Sequence, residues 1–237
     1  MLKNYQQTIK KPVSFSGIGL HTGKKTDITL YPAVGDKGIF FKRLDLEKNN
    51  LIYANYKNVS SAKLCTTLEN EFGVKVSTVE HLLAALYISE IDNVKIEINN
   101  EEVPILDGSA SEFINLLKNV EKTVLSEKRK YLKIEKKVEL IDGDRKIAVE
   151  PGGDYFQVDF QLKYENKIIG NQKNSVNFKY DDLEDVYKSR TFCLFEEVEK
   201  IKKLGLAKGG SLENAVVVDR NKILNKDGLR NKREFVN

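Results

Sequence analysis

Strict alternation of apolar and polar residues recurs along this chain, and it limits the possible folds more than any other feature. Thr26-Asp-Ile-Thr-Leu-Tyr31 alternates, and Asn93-Val-Lys-Ile-Glu-Ile98 does so cleanly. Successive strand side chains point to opposite faces, so such segments form half-buried strands. Residues 12–20 alternate and run into glycine, as a strand and turn do, and Gly38–Lys42 is a further short strand. Helical spacing appears in few windows. Residues 77–89 place Val79, Leu82, Leu83 and Leu86 on one face, and 110–119 reads as a second helix. Strands followed by helices within one unit predict an α+β layer.

A polar, charged stretch near 121–130 separates this unit from a second one. There, 131–134, 138–141, 146–149, 155–162 and 215–218 read as strands, with Gly143 and Gly152-Gly153 as turns. Residues 194–203 read as a helix, with Leu194, Val198 and Ile201 about one turn apart. The expected division is 1–126 and 127–237. The second sheet then has no helix to cover it except one in an apparent insertion. An uncovered apolar face does not persist in water. The pattern therefore predicts poor solubility and a missing cover beyond Asn237.

Composition excludes several classes. Hydrophobic residues at 41% can fill cores, and 31% charged residues with a mean hydropathy of -0.42 predict a soluble chain. The 39 basic and 35 acidic side chains nearly balance, which argues against a nucleic-acid partner. The run Glu127-Lys-Arg-Lys130 is short and reads as a solvated loop. Leu82–Ile88 is far shorter than the ~20 residues a membrane span needs. Met1–Gln6 has no apolar core, so no signal peptide is expected. Cys65 and Cys193 are single thiols, which read as small apolar fillers and fit a reducing cytosol.

Few residues can carry chemistry. Glu80-His81 heads the first helix. Ser77-x-x-Glu80 also fits a capping box, in which Ser and Glu satisfy the helix-start amides. The sharper reading is a metal site with an adjacent carboxylate as base, since a catalytic zinc commonly takes three protein ligands and one water. His21 lies in Gly17-Ile-Gly-Leu-His-Thr-Gly23, a G-x-G-x-x-x-G loop followed by a strand and so not a dinucleotide fingerprint. It is either a hairpin-like turn or a substrate-lining loop. Asp107-Gly-Ser109 reads as a turn, with Ser109-x-x-Glu112 as a second capping box. Thr191 has no neighbouring base and is a poor nucleophile, but its hydroxyl could donate to an oxyanion.

Several ordered motifs together resemble the zinc-dependent UDP-3-O-acyl-N-acetylglucosamine deacetylases of lipid A synthesis. They are Phe15-Ser-Gly-Ile-Gly-Leu-His-Thr-Gly23, Thr78-Val-Glu-His81, Pro104-Ile-Leu-Asp-Gly-Ser109, Arg190-Thr-Phe-Cys193, and Gly205-Leu-Ala-Lys-Gly-Gly-Ser-Leu212. The resemblance runs from about residue 5 to Asn237. It implies two α+β domains, each a sheet layered with helices. The second is incomplete in this sequence and carries an inserted acyl-chain passage at about 193–218, with Val198, Ala207, Leu212 and Val217 along it. Plain core is the competing reading of those four.

The resemblance also implies roles. Zn2+ is the cofactor and His81 one of its ligands. Glu80 takes a proton from water, and Thr191 stabilises the oxyanion. Leu20, His21, Cys65 and Gly210 line the substrate, Arg145 meets the nucleotide diphosphate, and Phe192 packs on the sugar. The partner is the small-molecule substrate alone, with no membrane insertion, for a cytoplasmic protein that is a monomer when complete. A His-Lys-x-x-Asp motif supplies the family's remaining metal ligands and would begin after Asn237. The residues present are therefore expected to bind zinc weakly and to be inactive by themselves. Two other readings compete: a relative that holds UDP-sugar or acyl chains without turnover, and a different enzyme with His21 and His81 on one metal.

Overall fold

The computed structural model describes residues 4–237. Residues 1–3, on which part of the reading of Met1–Gln6 rests, lie outside the described residues. The first half runs β1 (Tyr5–Ile9), β2 (Val13–Ile18), β3 (Lys25–Pro32), β4 (Ile39–Arg43), β5 (Leu51–Tyr53), β6 (Val59–Ser61), β7 (Thr67–Glu69), β8 (Lys75–Val76), α1 (Glu80–Ile88), β9 (Val94–Ile98), α2 (Ser111–Lys118) and β10 (Lys122–Lys128). The remainder is β11 (Val138–Asp142), β12 (Arg145–Val149), β13 (Gln157–Lys163), β14 (Asn171–Asn177), α3 (Glu184–Lys188), β15 (Phe192–Leu194), α4 (Phe195–Lys203), β16 (Val216–Asp219) and β17 (Lys222–Ile223). The class is mixed α and β, as the alternation requires. None of the helices described is long and apolar enough to cross a membrane.

A five-stranded sheet, ordered β2-β3-β9-β4-β5, anchors the first half. It is antiparallel except where β4 runs parallel to β9, Phe41 facing Ile96. Alternation puts Ile28 and Leu30 of β3 and Val94, Ile96 and Ile98 of β9 on one buried face. Leu82, Ala85 and Leu86 of α1 and Phe113, Ile114 and Leu117 of α2 join them in one core. Phe113 meets Phe15 edge to face, with ring centroids 5.5 Å apart. Each such buried apolar side chain stabilises the fold by roughly 1.5–3 kcal/mol.

Beyond residue 130 the sheets are small. β11–β12 and β13–β14 are separate two-stranded hairpins. In the first, Val138 faces Val149 and Leu140 faces Ile147, all four exposed. A second, smaller core gathers Ile169, Val216, Val218 and Phe235, with Leu162, Phe192 and Leu194 packed against it. β15 and β16 pair in parallel, Cys193 beside Val217, and α4 follows directly from β15.

Three expectations need correction. The charged stretch near 121–130 contains strand β10, paired antiparallel with β1 from Ile9–Lys122 to Tyr5–Lys128. Arg129 just after it is anchored to both carboxylate oxygens of Asp92 at 3.0 Å and to the Glu90 carbonyl at 3.1 Å. Ladder partners across the chain override a charged composition. Tyr131–Ile134 is not a strand: Tyr131 and Leu132 are exposed, and the segment has no partner strand among the described residues. Neither capping box forms. α1 and α2 start after Val79 and Ala110, neither of which has a capping side chain, and the Ser109 hydroxyl accepts the Ser111 amide at 3.1 Å rather than that of Glu112. Ser77 extends alongside Glu102 and its amide donates to the Glu101 carbonyl at 2.9 Å.

Candidate active site

The entry into α1 is set by a buried carboxylate that the sequence reading overlooked. Glu102 is fully buried and accepts the main-chain amides of His21 at 2.8 Å and Thr22 at 2.7 Å, and the Thr78 hydroxyl at 2.9 Å. It thereby ties the 17–23 loop to the start of α1. Thr78 has φ 56, a left-handed conformation that costs a β-branched residue energy and that surrounding bonds must hold in place. The available signal was a charged residue placed just before the apolar run Val103-Pro-Ile105. Such a carboxylate must find partners when it is buried.

Glu80 and His81 open the helix that follows. One carboxylate oxygen of Glu80 accepts the Thr66 amide at 3.0 Å, which fixes its orientation. His81 is partly exposed. Burial pushes its imidazole below the ordinary histidine value, against the opposing pull of Glu80 and Asp107. The neutral imidazole is the form that can ligate a metal. Asp107 does more than make a turn. It accepts the Ser109 amide at 3.1 Å, pairs with Arg230 at 2.9 Å, and is one of the charges acting on His81.

His21 is buried, and neither of its ring nitrogens has a hydrogen-bond partner of good geometry. Interaction with Cys65 raises the imidazole pKa, burial opposes it, and the charges of Glu102 and Glu80 reinforce the rise. The main chain of this loop then meets residues 207–210. The Gly209 amide donates to the Leu20 carbonyl at 3.0 Å and the Lys208 amide to that of His21 at 3.3 Å. A Cβ on Gly209 would lie 2.3 Å from the Gly19 carbonyl oxygen, so only glycine permits this approach. Gly210 and Leu20 are near neighbours, and Ala207 is held at φ 52.

The 190–193 segment is brought in by backbone. The Thr191 amide donates to the Gly108 carbonyl, and the Val216 amide to the Thr191 carbonyl, both at 2.8 Å. Arg190 is buried against Glu234, which also accepts the amides of Arg190 at 3.1 Å and Arg230 at 2.6 Å. The Phe192 ring is engaged by Phe235 and Tyr164 at 5.1 and 5.7 Å. The other expected residues are more scattered. Arg145 is exposed at the tip of the β11–β12 hairpin. Val198 is half-buried on α4, Leu212 exposed, and Val217 buried in β16. A depression of about 440 Å3 is lined by Leu194, Phe195, Val218 and Arg220, among others.

Among the described residues, no group of three or more His, Cys, Asp or Glu side chains could hold a metal. His81 suits one ligand position by its neutral form, and Glu80 beside it suits a base. The described residues do not by themselves complete a coordination shell, and His21 and His81 do not form one.

The order and content of these segments match a known sequence family, described as LpxC: UDP-3-O-acyl N-acetylglycosamine deacetylase, over residues 6–237. The chain belongs to this deacetylase family. A UDP-3-O-acyl-N-acetylglucosamine deacetylase of Geotalea uraniireducens is 43% identical over 233 residues, 98% of this chain and 75% of that protein. That of Nautilia profundicola is 42% identical over 232 residues, 98% of this chain and 78% of the relative. That of Phenylobacterium zucineum is 39% identical over 236 residues, 98% of this chain and 80% of the relative. Members of this deacetylase family hydrolyse an amide, which places the chain among the hydrolases.

Proposed function

We propose that the chain acts in the zinc-dependent removal of the N-acetyl group from UDP-3-O-(3-hydroxyacyl)-N-acetylglucosamine, the committed step of lipid A biosynthesis. Family membership supports the reaction. The observation that carries the site assignment is the Glu102 clamp, which ties the 17–23 loop to the turn that leads into Glu80 and His81. His81 is the described residue that would hold zinc, which when bound supplies a water of lowered pKa.

The chain's own residues do the remaining work in this reading. Glu80 presents a carboxylate with one oxygen fixed by the Thr66 amide and the other available to accept a proton from water. Thr191, held by Gly108 and Val216, donates its hydroxyl to the oxyanion that develops on the amide carbonyl. Leu20, His21, Cys65 and Gly210 line the sugar side, with Phe192 beneath it and Arg145 reaching the diphosphate. Val198, Ala207, Leu212 and Val217 form the passage for the acyl chain. The reading includes a division at 126/127 with an insertion at 193–218, and a cytoplasmic monomer.

Acetate release from UDP-3-O-acyl-N-acetylglucosamine, measured with zinc supplied, tests the assignment. Glu80→Gln should reduce it by about 10²–10⁴-fold with little change in KM, as expected for loss of a general base. Substrate binding with no acetate release from protein shown to hold zinc would replace this reading with binding without turnover.

A further inference from the structure

Glu234 lies beyond β17 with its side chain wholly buried, and its two carboxylate oxygens accept from two arginines. One oxygen takes the Arg190 amide at 3.1 Å and the Arg190 Nε at 2.7 Å. The other takes the Arg190 Nη2 at 3.2 Å and the Arg230 amide at 2.6 Å. The Arg190 Nη2 also donates to the Gly228 carbonyl at 2.8 Å. The Arg230 Nη1 in turn donates to the Asp107 carboxylate at 2.9 Å, the Ser109 hydroxyl at 3.1 Å and the Lys188 carbonyl at 3.0 Å. Between Asp107 and Ser109 stands Gly108 at φ 85, whose carbonyl accepts the Thr191 amide at 2.8 Å. A Cβ on Gly108 would lie 2.1 Å from the Asn214 carbonyl oxygen, so this turn is pressed against the main chain at 214.

These contacts close a ring. It runs from Glu234 to Arg190, along the chain to Thr191, across to Gly108, through Asp107 and Ser109 to Arg230, and back to Glu234. A buried Arg–Glu pair is not needed for stability, since apolar residues of similar volume serve as well or better. What such a pair supplies is geometry, because the planar guanidinium meets both carboxylate oxygens in a fixed fork.

We propose that Glu234 is a positioning residue for Thr191, holding the chain before it through Arg190 and the turn that receives its amide through Arg230. This rests on the deacetylase reading, in which the Thr191 hydroxyl donates to the developing oxyanion. Glu234 acts through the two arginines and not on the substrate. A preorganised donor is effective because it needs no rearrangement when charge develops. Displacing such a group by about 1 Å can cost about 10²-fold in rate. Without the Glu234 carboxylate, Arg190 would keep only the Gly228 carbonyl as a side-chain partner among the described residues. The Arg230 amide would lose its acceptor at the same time.

The test uses the whole chain with zinc supplied, and follows acetate release and amide hydrogen exchange. In Glu234→Gln, kcat should fall by about 10–10²-fold with KM unchanged within about 3-fold, the signature of a lost transition-state contact. The Thr191 amide should exchange at least ~10-fold faster, while the amides of β3 and β9 keep their rates. Glu234→Asp, which retains the charge, should recover part of kcat. Arg230→Met alters an exposed residue and serves if Glu234→Gln fails to fold. It should lower kcat by less, again at unchanged KM. A kcat indifferent to both Glu234→Gln and Arg230→Met, or faster exchange spread evenly over the fold, would overturn the proposal. No acetate release from the zinc-loaded unmodified chain would be a failure of the deacetylase reading instead. The exchange at Thr191 then decides alone, and an unchanged rate there would show that the ring does not position that residue.

Discussion

In the five-stranded sheet, Ile28, Leu30, Val94, Ile96 and Ile98 alternate with polar residues and are all buried. In the β11–β12 hairpin, Val138, Leu140, Ile147 and Val149 are paired across the strands as regularly, and all are exposed. The difference lies in the second layer. Leu82, Leu86, Phe113 and Leu117 of two helices cover the first sheet, whereas the hairpin's residues join neither core cluster. Alternation thus specifies a strand, but burial needs a partner surface.

Mutations can break or sharpen that contrast. The largest expected effect is Phe41→Ala, which empties a fully buried site of the five-stranded sheet and should cost about 3–5 kcal/mol in urea unfolding. Leu140→Ala on the hairpin should stay within about 0.5 kcal/mol. A cost near that of Phe41→Ala would show that the hairpin face is packed in solution. Between these lies Glu102→Gln, which weakens three hydrogen bonds of a buried carboxylate and should cost about 1–3 kcal/mol. It should also slow acetate release, since it loosens the loop against α1. A loss of stability with undiminished activity would mean that the clamp does not set the site.

The smallest effects are in pH dependence, and they have opposite signs at the two histidines. His81 has a lowered folded pKa, so below about pH 6.5 the unfolded chain takes up a proton that the folded chain resists, and stability falls as pH drops. His21 has a raised folded pKa, so its stabilisation is present below about pH 6.5 and is lost as pH rises through the folded value. His81→Gln should therefore flatten the acid-side loss, and His21→Gln the loss at higher pH. Unfolding midpoints between pH 5 and 8 would show both. Changes of the same sign would mean that one imidazole is misplaced.

The strands with an apolar face to bury were legible in the sequence, as Val94-Lys-Ile-Glu-Ile98 shows. β14, Asn171–Asn177, was not, since it is almost wholly polar and is held by its ladder with β13. β10 was hidden by its charges for the same reason. Within the site, Glu80, His81 and Thr191 stood out by residue type and neighbours. Glu102 and Glu234 did not, because a buried carboxylate reads as a surface one until its partners are known. Nor could spacing reveal that Glu102 accepts the amides of His21 and Thr22, since distant segments meet only in the fold.

The hydrogen bonds from Lys208 and Gly209 back to His21 and Leu20 join opposite ends of the chain. Closing so long a loop is entropically slow and follows the local pairings. During synthesis the first sheet and its helices can therefore consolidate while the 17–23 loop still waits for its distant half. An emerging chain would be sturdy before it is competent, and an early stop would leave a well-folded product with an unfinished rim.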